Sequence, residues 1–187
     1  TVDMSRYYNT SGGCIHGDCK VVLNTGASIS IKLLQKGDMV YGNGGYCRVE
    51  CLTKMATGGS IEMVGYGLSN NDKLLITPFH PIKITNEWIF PFNVGRNKII
   101  NTDFVYNLVL GDGGTNVRID GIDCCTLGHG LSANKVIAHE YYGTQRVIED
   151  LKKCDGYDDG LVLLKNNCIV RDANSGLVVG MDNMVNF

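Results

Sequence analysis

A chain of 187 residues, 44% hydrophobic and 19% charged, has the length and composition of one globular domain with a small appendage, not of a disordered segment. Its formal net charge of −2, with no basic run longer than Lys152-Lys153, argues against nucleic acid or a membrane surface as partner, and no apolar run nears the roughly 20 residues needed to span a bilayer. The start, TVDMSRYYNT, has neither the apolar stretch of a signal peptide nor an initiator Met, so the chain reads as an excerpt of a longer one.

Taken in order, the first feature is Gly12-Gly13 directly before Cys14. The glycines free the backbone to take conformations closed to other residues, and the cysteine supplies a nucleophile. KVVLNTGASISIKLL follows, with a hairpin expected at Asn24-Thr25-Gly26 and with Ile29, Ile31 and Leu33 alternating along the returning strand. GDMVYGNGGYCRVECL repeats the plan around Asn43-Gly44. Cys47 and Cys51, four apart, are expected on one face of its second strand. Further strands are predicted over 61–64, 73–77, 82–85, 104–110 and 117–119. Pro78 and Pro81 flank His80. Trp88, Phe90 and Phe92 are assigned to apolar packing. After TLGHG the character changes. SANKVIAHEYYG, capped by Ser132, and TQRVIEDLKK, capped by Thr144, are predicted as short helices; His139 in the first is a packing or surface residue. GLVLLK and NCIVRD then read as strands. The chain therefore divides into a flanking segment, 1–13, a mostly β core, 14–130, and an α+β appendage, 131–187, expected as a separate layer on the core sheet.

Eight cysteines are present. A chain of this length with its own apolar core does not need disulfide staples, so free thiols and a cytoplasmic setting are favoured. The sequon Asn9-Thr10-Ser11 is too common a pattern to change that. CIHGDC together with Cys124-Cys125 has enough ligands for zinc, but the spacing matches no common C-x2-C pairing, and no metal or other cofactor is expected.

The chemistry converges on Cys14 and on LLITPFHPIK, where Thr77 and His80 end an apolar run. A sulfur nucleophile with a nearby imidazole is the minimum for covalent catalysis. A turn histidine between prolines and an inert buried cysteine would leave the same pattern.

These residues resemble the Hint domains, the fold shared by hedgehog autoprocessing domains and inteins. GGCIHGDCKVVLNTGASISIKLLQKGDMVYG is similar to their opening, with Gly37-Asp38 in place. TPFH resembles their Thr-x-x-His block, and FVYNLVLGDGGTNVRIDGIDCCTLGHG their closing hairpin. TLGHG and the HEYYGTQRVIEDL tail are most similar to Vint-type domains, found with von Willebrand factor A domains. The resemblance implies a horseshoe-like β-fold in which the Cys14 sulfur attacks the Gly13 carbonyl, turning the Gly13–Cys14 amide into a thioester. It implies that His80 protonates the departing nitrogen and that Thr77 positions the peptide. Backbone N–H groups are candidates for holding the oxyanion. By comparison with hedgehog relatives, the tail is a candidate acceptor-binding or gating element, against the simpler reading that it covers an apolar face.

The departures narrow the activity. Inteins close with His-Asn; here Cys125 and Thr126 align to those positions, so no Asn can cyclise and splicing is not expected. Asn107 stands where inteins commonly carry Asp. Lys54 aligns to the Asp with which hedgehog domains activate a sterol, which puts sterol transfer in doubt. Cys124 or Cys125 is expected beside Cys14, assisting the second step, or else the two form a buried structural pair. His129 either approaches the site or serves a local turn. The leading expectation is a monomeric, single-turnover self-cleaving domain that releases the upstream polypeptide of its own chain, itself a candidate von Willebrand factor A-containing segment, to water or another nucleophile. The alternatives are a non-catalytic β module with inert or metal-bound Cys and His, and a cysteine protease acting on other proteins.

Overall fold

The computed structural model describes residues 13–42, 44–67 and 73–182. Gly12, Asn43 and the sequon at Asn9 lie outside them. Short strands separated by turn residues dominate. They are β1 Ile15–His16, β2 Lys20–Val22, β3 Ser28–Ser30, β4 Met39–Gly42, β5 Gly45–Ala56, β6 Ser60–Tyr66, β7 Leu74–Ile76 and β8 Ile82–Ile84. The chain continues through β9 Glu87–Ile89, β10 Arg96–Asn101, β11 Phe104–Leu110, β12 Asn116–Ile119, β13 Ile122–Cys125, α1 Gln145–Leu151, β14 Leu161–Leu164, β15 Ile169–Arg171 and β16 Val178–Met181.

Among the described residues, one sheet runs β10-β6-β7-β1-β11-β5-β14, with β4 joined to β5; a second runs β3-β2-β12-β13-β8-β9; β15 and β16 form a separate pair. The hairpin at Asn24-Thr25-Gly26 forms as expected. Val22 pairs with Ser28, and Gly26 takes a φ of 85°, a conformation a side chain would disfavour. β3 is shorter than its alternation implied. The chain tightens into a 3-10 turn over Ile31–Leu33, in which Leu34 N donates to Ile31 O, so Leu33 points outward at 61% exposure while Ile31 and Leu34 are buried.

Among the described residues, two large apolar clusters hold most of the core, beside a small one around Phe79 and Phe90. The first holds Ile15, Val21, Ile31, Val40, Val49, Leu52, Leu108, Ile119 and Cys124, all from the front of the chain. The second holds Cys14, Cys51, Met55, Met63, Val105 and Val109 together with Tyr141, Val147, Leu151, Val162 and Cys168. β5 serves both because of a bulge. Leu110 pairs with Val49 and Val109 with Cys51, which leaves Glu50 as the extra residue. The bulge reverses the alternation, so Val49 and Leu52 face the first cluster while Cys51 and Met55 face the second. Cys47 and Cys51 therefore do not share a face, contrary to their spacing.

The tail is also tied in more closely than a separate layer. β14 runs parallel to β5, pairing Leu161 with Leu52 through Leu164 with Met55, and extends the large sheet. The Thr144-capped helix forms as α1, with Arg146 N donating to Thr144 Oγ1 at 3.4 Å. The helix expected after Ser132 does not form. Asn134 Oδ1 instead accepts from Val136 N and Ile137 N, and His139 Nδ1 accepts from Tyr141 N and Tyr142 N, so the side chains stabilise turns in its place. Among the described residues, no helix is long and apolar enough to cross a membrane.

Candidate active site

Strand register builds the site. Ile15 on β1 pairs with Ile76 on β7 and with Tyr106 on β11. One residue further along, the head of β1 therefore lies between the end of β7, at Thr77, and Asn107 on β11. The Gly13–Cys14 peptide is held from both sides. Cys14 N donates to Thr77 Oγ1 at 2.9 Å, and Thr77 N donates to Cys14 O at 2.9 Å. On the other side Asn107 Nδ2 donates to the Gly13 carbonyl oxygen at 2.6 Å. The Asn107 amide is itself fixed, because Leu108 N donates to its Oδ1 at 2.7 Å, and its backbone carbonyl accepts from Thr53 Oγ1 at 3.2 Å.

His80 arrives on the turn that carries the chain from β7 in one sheet to β8 in the other. His80 N donates to Thr77 O, and Phe79 anchors the turn by packing edge-on to Phe90 and stacking on Phe92. Phe90 and Phe92 thus pack as anticipated, while Trp88 is half-buried under Lys83. The His80 ring is fully buried, and its Nε2 lies 2.7 Å from the Cys125 carbonyl oxygen. A carbonyl only accepts, so Nε2 carries the proton and neutral His80 presents the lone pair of Nδ1. Nδ1 has no protein partner and lies against the scissile peptide: a Cβ placed on Gly13 would come within 2.6 Å of His80 Cγ and 2.8 Å of Nδ1. Only glycine fits there. The requirement at residue 13 is the absence of a side chain facing the imidazole.

Burial keeps both reactive groups neutral. It pushes the Cys14 thiol up to about 12, with Cys168 nearby adding to the shift. It pulls His80 down to about 4, opposed by the hydrogen bond to Cys125 and helped by neighbouring His129. At neutral pH Cys14 rests as a thiol and His80 as a neutral imidazole.

Adjacent cysteines part company on β13. Cys124 is in the first cluster, with Sγ donating to Ile122 O, near Cys19. Cys125 meets His80 through its backbone carbonyl and borders a cavity with Gly13. Of the five residues singled out in the sequence, Cys14, Thr77, His80 and Cys125 come together and Cys124 does not. His129 is buried and serves a local turn, its Nδ1 accepting from Leu131 N. Lys54 lies over the Phe104 ring, 4.1 Å from its centroid. Among the described residues, no group of three or more His, Cys, Asp or Glu side chains gathers to hold a metal. Asn107, read in the sequence only as a departure from an aspartate, touches the Gly13 carbonyl directly. The signal for it is a lone amide in the apolar strand FVYNLVL, a buried polar group that requires a partner. His139 and Tyr142, from the tail, also border the cavity beside Gly13, which no sequence pattern had indicated.

A strand-head cysteine clamped between a Thr-x-x-His turn and a closing hairpin, on two sheets joined at that point, is the arrangement of the hedgehog/intein, or Hint, fold. The family model described as Vint, Hint-domain, matches residues 13–180, and the chain belongs to that family. Hint domains process their own chain by an N-to-S acyl shift, and membership carries that general activity. The match runs across residue 130 into the tail. Among solved structures, the chain is similar to the gp41-1 intein (17% identity, 62% of this chain and 100% of that one, TM-score 0.46). It is also similar to a DnaB intein from Synechocystis sp. PCC 6803 (17% identity, 62% and 99%, TM-score 0.47) and to an Ssp DnaB mini-intein variant (17%, 63% and 96%, TM-score 0.49). No curated protein matches.

Proposed function

We propose that this domain cleaves its own chain at Gly13–Cys14 through a thioester and releases the upstream polypeptide to a nucleophile, without splicing. The observation that carries the proposal is the clamp on that single peptide: Asn107 on its oxygen, Thr77 on its nitrogen and the His80 lone pair beside it.

The acyl shift moves one proton from sulfur to nitrogen, and one residue can carry it. His80 Nδ1 takes the proton of the Cys14 thiol as sulfur attacks the Gly13 carbonyl carbon. Negative charge collects on the Gly13 oxygen, where Asn107 Nδ2 already points, so this hydrogen bond strengthens as the tetrahedral intermediate forms. The C–N bond then breaks, and His80, now charged in a site that disfavours its charge, gives the proton to the Cys14 nitrogen. Thr77 Oγ1 holds that nitrogen in line throughout. The second half of intein splicing requires an Asn that cyclises after the closing strand, and Thr126 in that position has no such chemistry.

Intact mass tests this. Wild-type protein is expected to lose the segment ending at Gly13, faster with a small nucleophile such as hydroxylamine. Cys14→Ala should retain it under every condition, and His80→Ala should slow release severely. Full-rate cleavage in Cys14→Ala would end the proposal. A tagged protein fused after Phe187 should never be found joined to the upstream segment.

A further inference from the structure

Beside the scissile carbonyl lies a cavity of about 30 Å³, bordered by the backbone of Gly13 and by His80, Asn107, Thr126, His139 and Tyr142. Three buried polar atoms have no protein partner: His80 Nδ1, Thr126 Oγ1 and Tyr142 OH, and all three residues border this cavity. His80 and Thr126 are 0% and 2% exposed, too deep for bulk solvent to satisfy them. Buried polar groups need partners, and a polar cavity of this size accommodates one water molecule with two to four hydrogen bonds. It has no room for a sterol or a peptide. Its tail wall, His139 and Tyr142, closes it from that side.

Building on the acyl shift proposed above, we infer that this cavity is a water site and that the water it holds is the acceptor, which makes the domain a self-hydrolase rather than a transferase to a large nucleophile. Thr126 and Tyr142 hold the water beside the Gly13 carbonyl, and His80 Nδ1, neutral again after the acyl shift, takes its proton. The water oxygen bonds to the Gly13 carbon, the C–S bond breaks, and the proton passes to sulfur. The products are an upstream chain ending in a Gly13 carboxylate and a domain with a free Cys14 thiol and amine. Asn107 holds the oxyanion in this step as in the first.

The acceptor is tested on the full chain with dilute hydroxylamine at neutral pH as the probe for thioester. In water enriched in oxygen-18, the released Gly13 carboxylate should carry one heavy oxygen. Thr126→Val and Tyr142→Phe, which remove only the hydroxyls, should each slow spontaneous release by about tenfold, the usual effect of one lost hydrogen bond to a reacting group, while hydroxylamine at excess still cleaves at Gly13. Retained hydroxylamine cleavage also shows that each variant folds. Spontaneous release at the wild-type rate in both variants overturns the water site. So does release that glutathione accelerates more than hydroxylamine at equal concentration, because glutathione is too large for the cavity. Absence of hydroxylamine cleavage in the wild-type chain would instead remove the acyl shift itself.

Discussion

The two apolar clusters differ in what completes them. The first is built from residues between Ile15 and Cys124 and contains no residue of the tail. In the second, strands from the front of the chain supply one half, and Tyr141, Val147, Leu151, Val162, Cys168 and Val178 supply the other. Ile15, the first residue of β1, and Cys14 just before it sit on opposite sides of this seam, Ile15 in the first cluster and Cys14 in the second. The Cys14 thiol is thus buried against the tail, although Thr77 and Asn107, which hydrogen-bond the Gly13–Cys14 peptide, precede it. The hydrogen-bonded clamp on a peptide can be complete and still depend on a distant segment for its dielectric.

The sharpest way to break the comparison is truncation after Gly130. It removes β14 from the edge of β5 and half of the second cluster, leaving an open strand edge and a bare apolar face. The expected outcome is an aggregating protein with no cleavage, read by size-exclusion chromatography and intact mass. A folded, active product would show that the first cluster suffices. Next in size is Asn107→Ala, which removes the side-chain donor on the Gly13 oxygen. Loss of one such donor costs about 10²–10³ in rate, so thioester formation should slow by that factor with the melting temperature little changed.

A smaller effect sharpens the contrast between clusters. Ile119→Ala and Leu151→Ala each truncate a fully buried side chain and should each cost about 2–5 kcal/mol in urea unfolding. Their alkylation patterns should differ: Leu151→Ala should open Cys14 and Cys168 to iodoacetamide, and Ile119→Ala should open Cys19 and Cys124. Identical patterns would mean the clusters loosen together.

The mildest perturbation is acid. His80, His129 and His139 are each pulled from 6.5 to about 4 by burial. Between those values the unfolded chain binds protons that the folded one refuses. Stability should be full above pH 6.5 and fall as pH drops towards 4, measured as the urea midpoint against pH. The acyl shift should persist lower, failing only near pH 4, where folded His80 charges and its lone pair is lost.

Much of this was legible in the residues. Gly-Gly before a cysteine, a Thr-x-x-His turn at a strand end and a closing hairpin, in order, pointed to the Hint fold, and turn glycines such as Gly26 located the hairpins. These signals are local: a turn needs particular backbone angles, and a strand written FVYNLVL forms where its own alternation can be buried. What local pattern could not supply was direction in space. Cys47 and Cys51 share a face by count, yet the bulge at Glu50, decided by pairing with β11, puts them on opposite sides. Cys124 and Cys125 are equivalent as letters, and only the packing of β13 between β8 and β12 puts the Cys124 thiol near Cys19 and the Cys125 backbone carbonyl on the His80 ring. Asn107 reads as a lost aspartate until the register of β1 against β11 sets its amide on the Gly13 oxygen. The sequence by itself determined the fold class and pointed to the Gly13–Cys14 peptide, because both readings follow from short-range backbone preference and side-chain chemistry. The tertiary structure decided which polar group meets the carbonyl and which tail residues enclose it, because contacts between residues a hundred positions apart depend on strand register, and one residue of slip exchanges every face.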